Sequence, residues 1–437
     1  GMENSSKKEE LIKYLFLLLQ TIVCGVIIGL VVGVYQLAVS FFGSLSNNLY
    51  GNESILIVCV MVVIGMALAF INETILKIAP GVDGSGIPNI ELGIRGRRTI
   101  DWKKEIIFMF VNSCVSTLAG FPLGSEGPSV VLSGKISKMT QEVSKIDNKD
   151  QTAIACGTGF GCAFLSPLAG IAYIFEESLH RFNPSLLLRA TLMMLTAYFT
   201  TSLVNHHHLL TIVDATMPAL NEYYVFFILV IVNTILGVLF TKCIVFVKRI
   251  FTLHKNRFLI KNRGYLLFAL VIICNLVCLP LMGSGSKLIS GISNYSLVYI
   301  VILILLFRFA ITIITGSGRV TGGLVVPIMT LGAISGQLVF LLCQQWFGLS
   351  STIQPIIILV SMCMVFGVVT KTPITSICLI FSTIGYCTND YLHALIIIPI
   401  AGVTIYLAYY LSKLCKVDCM YELFMEITLE DDEKNRK

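Results

Sequence analysis

Long apolar runs limit the possible folds of this sequence more than any other feature. They recur along the whole chain at 14–42, 55–71, 106–122, 186–204, 225–247, 265–282, 297–314, 356–369 and 392–411. Runs of this length approach or cross the hydrocarbon core of a bilayer, which is about 30 Å thick. Only 13% of the 437 residues are charged, about half the share of ordinary soluble domains. The sequence therefore predicts an all-α polytopic membrane protein with about ten full spans and further interrupted helices.

Basic residues cluster in a few places between the apolar runs. They occur at 7–8, 95–104, 248–263, 413–416 and in the last four residues. The positive-inside rule places such segments in the cytoplasm, so we expect both termini there and a multi-pass protein of the cell membrane. The net charge of +6 is then a topology signal, and we expect no nucleic-acid partner.

Two segments half a chain apart share one pattern. FGCAFLSPLAGIAYIF at 160–175 and FGVVTKTPITSICLIF at 366–381 place Phe-Gly, Pro and Phe at the same spacings. We expect two related halves, 11–215 and 216–427, in inverted orientation as in many secondary transporters. Residues 1–10 and 428–437 are then expected to be cytoplasmic tails, with Gly1 read as a remnant of an expression tag.

Three short motifs combine glycines with a proline directly before an apolar helical run. They are GSGIP at 84–88, GSEGP at 124–128 and GGLVVP at 322–327. Glycine lets a backbone approach closely, and proline suits the first turn of a helix. Free N–H groups and the helix dipole make a helix N-terminus an anion site. Three of them at membrane depth predict a cage for an anion, and Glu126 lies inside one of these motifs.

The motifs GSGIPNIE, GSEGPSVVLSG, SPLAGIAYIFEE, GSGRVTGGLVVP and KTPITSI resemble the signature segments of the CLC family of chloride channels and chloride/proton exchangers. They follow the family order over almost the whole chain. The resemblance implies the CLC-type fold, with about eighteen helices, many tilted or not fully spanning, in two inverted halves. It also implies a homodimer in the lipid bilayer that transports chloride and protons.

The resemblance assigns roles to individual residues. Ser85, the backbone N–H groups of Leu324 and Val325, and the Tyr421 hydroxyl match the ligands of the central anion. Gly127 matches the outer anion site next to the gating glutamate. A hydroxyl and amide N–H groups replace part of the hydration shell of chloride and still permit release.

Two glutamates match the residues that move protons in the exchangers of the family. Glu126 matches the gating glutamate, which competes with anions and relays protons, and Glu177 matches the inner proton-transfer glutamate. Two positions depart from the family pattern. Ser125 replaces a common Arg or Lys, which weakens anion attraction at the outer entrance, and Val325 replaces a common Phe.

The resemblance leaves two functions open, a proton-coupled chloride exchanger and a passive voltage- or pH-gated chloride channel. The carboxylate of Glu177 favours the exchanger, because channels of the family generally lack it. GSGIP and the Tyr421 motif disfavour fluoride export, and Ser85 disfavours nitrate. The chain has no nucleophile–base pair of an enzyme, so we expect neither catalysis nor a cofactor.

Other polar residues in apolar surroundings admit simpler interpretations. Glu177 and His180 form one Glu-x-x-His pair, whereas di-iron bundles need two, so we predict no metal site. The histidines at 206–208 are interpreted as a solvated loop, with metal binding or external pH sensing as alternatives. Arg308 is interpreted as paired or snorkelling, or as a source of positive potential for the pathway.

Overall fold

The computed structural model describes residues 2–254 and 256–437. Over these residues the chain forms seventeen α-helices and no β-strand: α1 Met2–Tyr50, α2 Ile55–Ile78, α3 Ile87–Ile94, α4 Trp102–Ala119, α5 Glu126–Ser144, α6 Gln151–Phe164, α7 Pro167–Tyr173, α8 Leu187–Val204, α9 Tyr224–Leu253, α10 Arg257–Cys278, α11 Ser286–Gly291, α12 Val298–Ser317, α13 Val325–Phe347, α14 Gln354–Thr370, α15 Pro373–Thr388, α16 Tyr391–Leu414 and α17 Met420–Arg436. A π-helix at Ile174–Ser178 continues α7. The predicted all-α class is confirmed, and the helix count is close to the expected eighteen.

The membrane-spanning lengths agree with the sequence pattern except at two helices. Within the described ranges, nine segments are long and apolar enough to cross a membrane, and all but one of the predicted runs fall in them. The exception is 106–122, because the first turn of α4 contains Lys103, Lys104 and Glu105. Val325–Phe347 is a spanning candidate that the prediction missed. It forms α13, which is almost entirely buried against α14 and α12.

One end of the molecule, here called the basic end, gathers the Lys- and Arg-rich segments around α17. Arg98 bonds Asp432 at 2.6 Å, and Arg249 bonds Glu430 at 2.6 Å. The early part of α1 lies at the same end, because Gln20 donates to Ser144 at the end of α5. We call the opposite end the distal end. The residues predicted as tails are helical where the structure describes them, since α1 begins at Met2 and α17 runs to Arg436.

The two segments with the shared Phe-Gly-Pro pattern have the same local geometry. Leu165 ends α6 with φ 49°, and Pro167 begins α7; Lys371 ends α14 with φ 58°, and Pro373 begins α15. The left-handed residue ends one helix, and proline two residues later starts the next. Helices α7 and α15 pack together. The division at 215 and 216 and the homodimer stay predictions.

Candidate functional site

The three glycine-rich loops that precede α3, α5 and α13 are bonded to one another through their backbones. Gly84 N–H donates to Val320 O at 2.8 Å, and Gly322 N–H donates to Gly84 O at 2.9 Å. Gly124 and Gly323 exchange a reciprocal pair of N–H to O bonds, both at 2.8 Å. The starts of these helices therefore form one unit, although the sequence separates the first two from the third by about half the chain.

Close approach of the loops requires glycine at the contact. A Cβ on Gly127 would lie 3.0 Å from Cβ of Ser85 and 3.2 Å from Cα of Gly323, tighter than side chains normally tolerate. Gly86 has φ 76°, in the left-handed region that favours glycine. The positive ends of three helix dipoles consequently face one small region, as the motifs predicted.

Glu126 is the first residue of α5 and is 2% exposed. The Ser125 hydroxyl lies 3.1 Å from its Oε1 atom, while Oε2 has no hydrogen-bond partner among the described residues. A Cβ at Gly124 would collide with Oε2. Gln36 of α1 adds a contact that the sequence analysis missed, since its Oε1 also accepts from Ser125, at 2.9 Å.

The remaining predicted anion ligands lie in the same core. Leu324 and Val325, at the start of α13, are 3% and 2% exposed, and N–H groups in a first turn have no partner within the helix. Tyr421 in the first turn of α17 is 1% exposed, and its hydroxyl has no partner in the described part of the chain. Ser85 accepts a hydrogen bond from Ile87 N–H at 3.3 Å. A buried hydroxyl without a partner is costly, so Tyr421 has the chemistry of a ligand group.

Glu177 lies in the π-helix after α7 and is 2% exposed. Its carboxylate meets Glu91 of α3 and His180, with ligand atoms within 4.8 Å of one another. Glu91, 6% exposed, was missed by the sequence analysis, although it stands in the quoted GSGIPNIE motif. Two buried carboxylates this close favour holding at least one proton between them. The absence of a metal from this cluster stays a prediction.

Charged residues at the surface of the basic end line the same cavities as this carboxylate pair. Arg95 donates to both carboxylate oxygens of Glu422, and these hydrogen bonds raise the pKa of the Arg95 guanidinium. His180, with φ 54°, lies 3.8 Å from Glu422, and burial lowers the pKa of its imidazole.

Glu176 and Glu177 are neighbours in sequence with different surroundings. Glu176 accepts hydrogen bonds from the N–H groups of Ile374 and Thr375, each at 2.8 Å, and from the Thr375 hydroxyl. It therefore stabilises the start of α15, where a carboxylate interacts favourably with the helix dipole. Glu177 makes no such bond to a helix start, and its Oε1 has no partner within the described residues.

Two cavities approach the two predicted glutamates from opposite ends. The basic-end cavity, about 550 Å³, is lined by Glu176, Glu177, His180, Thr370, Lys371, Pro373, Tyr406, Tyr409, Tyr410, Asp418, Cys419, Glu422 and Glu426. The distal vestibule, about 640 Å³, includes Glu126, Ser125, Asn205 and Lys287 in its lining. Helix α8 runs from one end to the other. Arg189 in its first turn donates to Asn148 at the basic end, and Asn205, directly after its last turn, lines the distal vestibule.

Arg308 is fully buried and lies behind the wall of the distal vestibule. Its guanidinium donates to the backbone carbonyls of Leu281, Gly283 and Ser284 at 3.1, 2.7 and 2.9 Å. It therefore does not snorkel, and it is paired with carbonyls in the turn before α11. Because this turn contributes Gly283 and Ser284 to the vestibule, Arg308 fixes part of the entrance.

Sequence comparison shows which known proteins this chain resembles. The voltage gated chloride channel family model matches residues 67–412, more than three quarters of the chain. A Vibrio campbellii protein named H(+)/Cl(-) exchange transporter ClcA is 29% identical over 430 residues, which are 94% of this chain and 89% of the relative. A Vibrio cholerae protein of the same name is 28% identical over 339 residues, 74% of this chain and 71% of the relative.

Solved structures show the same fold. The structure of a slow cyanobacterial Cl-/H+ antiporter has a TM-score of 0.83 at 24% identity, with 94% of this chain and 98% of that chain covered. A CLC-type fluoride/proton antiporter has a TM-score of 0.75 at 19% identity, with the same two coverages. With the family match across most of its length, this chain belongs to the voltage gated chloride channel family.

Proposed function

We propose that this protein is a secondary transporter that exchanges chloride for protons across the membrane. The observation that carries the proposal is the placement of two buried carboxylates. Glu126 lines the distal vestibule at the joined helix starts, and Glu177 lines the cavity of the basic end. A proton carrier at each end of a closed core is the arrangement that coupled exchange requires, whereas a passive chloride pore needs no carboxylate at Glu177.

The chemistry of the core suits a partly dehydrated anion. Ser85, Tyr421 and the amides of Leu324 and Val325 supply the central ligands in this proposal, and Gly127 supplies an amide next to Glu126. Each is a hydrogen-bond donor without net charge, so an anion is held weakly enough to leave. Glu126 competes with the anion when charged and ceases to compete when protonated.

The lining of the basic-end cavity supports a proton route to Glu177. Glu176, Asp418, Glu422 and Glu426 line it together with two basic groups. A wall rich in carboxylates attracts protons and repels chloride, because a surface of one charge sign raises the local concentration of the opposite ion. We therefore assign proton exchange with bulk water at the basic end to this cavity.

The setting of this activity is proposed from the charge pattern and the relatives. The basic end, with both termini, faces the cytoplasm by the positive-inside rule, and the distal vestibule faces outward. The protein acts as a homodimer in the cell membrane, in which each subunit has its own pathway. Chloride is the transported ligand, and the transport cycle we propose uses no cofactor.

Reconstitution into liposomes tests the proposal. With a chloride gradient, no proton gradient and the membrane voltage clamped by potassium and valinomycin, proton movement is recorded with a pH electrode. We expect the chloride gradient to drive protons in the opposite direction to chloride. Glu126→Gln serves as the matched control without a gating carboxylate. Full chloride flux without proton movement at any pH would contradict exchange and support a passive chloride channel. A fluoride gradient run in parallel tests which anion the protein transports.

A further inference from the structure

The distal vestibule contains three basic side chains and one carboxylate. Lys287 of α11, His207 and His208 lie in its wall, and Glu126 is the single acidic residue among the described residues that line it. Within the described residues, Lys287 forms no ion pair. The entrance therefore holds one lysine and two histidines, whereas Ser125, next to Glu126, is neutral.

The two histidines are held in place by the surrounding structure. The His207 N–H donates to Oδ1 of Asn205 at 3.1 Å, which turns the chain directly after α8. The His208 ring stacks on Tyr386 of α15 with ring centroids 3.4 Å apart. Farther along the loop, Ile212 N–H donates to Cys387 Sγ. The His207 backbone and the His208 ring are therefore held in place, and both residues line the vestibule.

Other titratable groups nearby have different partners. Asp214 accepts from Thr216 in its own loop, and Asp390 accepts from His393 N–H at the start of α16. The His393 ring bonds the carbonyl oxygen of Ala215. These three residues are not in the vestibule lining, and neither is His206. The charged or titratable groups that share the vestibule lining with His207 and His208 are thus Lys287 and Glu126. Tyr386 stacks on the His208 ring.

We propose that the distal vestibule is an anion-collecting site, in which Lys287 supplies a permanent charge and His207 and His208 supply charge on acidification. This inference rests on the proposed chloride transport. A cationic entrance raises the local concentration and the entry rate of anions, and the histidines replace a charge that position 125 lacks.

The direction of the pH effect follows from the chemistry of histidine. Histidine changes charge between about pH 5 and pH 8, and burial alone lowers the pKa of the His208 imidazole. Near neutral pH the ring is uncharged, and it becomes a cation as the distal solution is acidified. Chloride entry therefore rises with acidity, and bound chloride in turn stabilises the protonated rings.

The experiment uses Glu126→Ala protein, because this background removes the pH response of the gate itself. Chloride efflux from liposomes is compared at about pH 7.5 and about pH 5, which brackets the charge change of histidine. The test variant carries His207→Asn and His208→Asn, and the matched control carries His206→Asn, which alters the same loop outside the vestibule. Lys287→Gln is the third arm.

We expect efflux in the parent and in the His206→Asn control to rise about two- to fivefold on acidification at low ionic strength, an effect that added gluconate screens. The double variant should lose this rise, and Lys287→Gln should lower efflux by the same factor at both pH values. An equal acid response in the double variant would overturn the proposal.

A second measurement separates this inference from the proposed function. If the Glu126→Ala protein carries no chloride at all, the proposed chloride transport is wrong. The vestibule proposal is then tested by chloride binding alone. Potassium chloride is added to detergent-solubilised protein at about pH 6, inside the range in which histidine in general changes charge, and proton uptake is measured against potassium gluconate. Smaller uptake in the double variant than in the His206→Asn control supports the vestibule site, and identical uptake refutes it.

Discussion

The hydroxyl of Ser125 lies 2.9 Å from Oε1 of Gln36 and 3.1 Å from Oε1 of Glu126. A serine hydroxyl has one hydrogen to donate, so the two acceptors compete for it. When Glu126 is charged, the hydrogen is drawn to the carboxylate, and when Glu126 is protonated, the amide oxygen of Gln36 receives it. The neutral residue at position 125 is thus a donor that responds to the charge of its neighbour.

The competition predicts opposite effects for two substitutions. Ser125→Ala removes a hydrogen bond to a charged group, worth about 1.5–3 kcal/mol. The charged Glu126 side chain is then held less firmly in its observed position, so chloride turnover at neutral pH rises by about tenfold or more. Gln36→Leu removes the competing acceptor and slows turnover. Chloride efflux from liposomes measures both. Changes of the same sign in the two variants would contradict the competition.

Glu126→Gln should separate the two ion movements. A neutral amide carries no proton and does not mimic an anion, so chloride flux continues while proton movement stops. The measurement is paired recording of chloride and pH in the same liposomes. Ser125→Ala, which keeps the carboxylate, is the control and should stay coupled. Uphill proton movement by Glu126→Gln would mean that another group carries the proton.

The paired carboxylates at the basic end predict unequal roles. Glu177→Gln should abolish coupled proton flux and leave chloride binding unchanged, because Glu177 lies outside the anion ligands. Glu91→Gln removes the neighbouring charge but keeps the carrier, so coupling should persist. Proton flux and calorimetric chloride titration are measured on both. If only Glu91→Gln lost coupling, Glu91 and not Glu177 would be the proton carrier.

The proposed anion ligands predict graded losses of chloride affinity. Tyr421→Phe and Ser85→Ala each remove one donor to a charged ligand, so equilibrium binding should weaken by about ten- to a hundredfold. Isothermal titration with chloride measures this, and Tyr410→Phe, an exposed tyrosine on α16, is the control. Affinity equal to the wild type in both variants would mean that backbone amides alone hold the ion.

Arg308 predicts a stability effect. Arg308→Met leaves three carbonyls in the turn before α11 without their donor, at a cost of about 1–3 kcal/mol for each unsatisfied group. The thermal unfolding midpoint of Arg308→Met in detergent should fall clearly. The midpoint of Arg308→Lys should fall less, because an ammonium group retains hydrogen-bond donors. An unchanged midpoint for Arg308→Met would show that water replaces the guanidinium.

The sequence predicted the helical fold and the three helix starts because those signals are local. Apolar length and Gly-Pro spacing act within one segment, so the starts of α3, α5 and α13 were found correctly. Helix α13 was missed as a span because Pro327, two glycines and Gln337 interrupt its apolar run. The charges at the start of α4 shorten its apolar stretch, which explains the other difference.

Contacts between distant segments could not be predicted from the sequence in the same way. Gln36 and Ser125 are 89 residues apart, and Glu91 meets Glu177 although the two residues belong to separate helices. Glu91 carried a detectable signal, since a glutamate within a short apolar helix is costly to bury. Gln36 carried none, because one amide in a long apolar helix has many structural explanations.

The reciprocal bonds between Gly124 and Gly323, with those of Gly84, have a mechanical consequence. They join the backbone of the first predicted half to that of the second at the proposed ion site. A cycle in which the halves rocked apart would break all four bonds where little water is present to replace them, and each broken bond is expensive in such surroundings. These four bonds therefore favour a backbone that stays rigid during transport. The smallest movement that admits an ion is then a rotation of the Glu126 side chain.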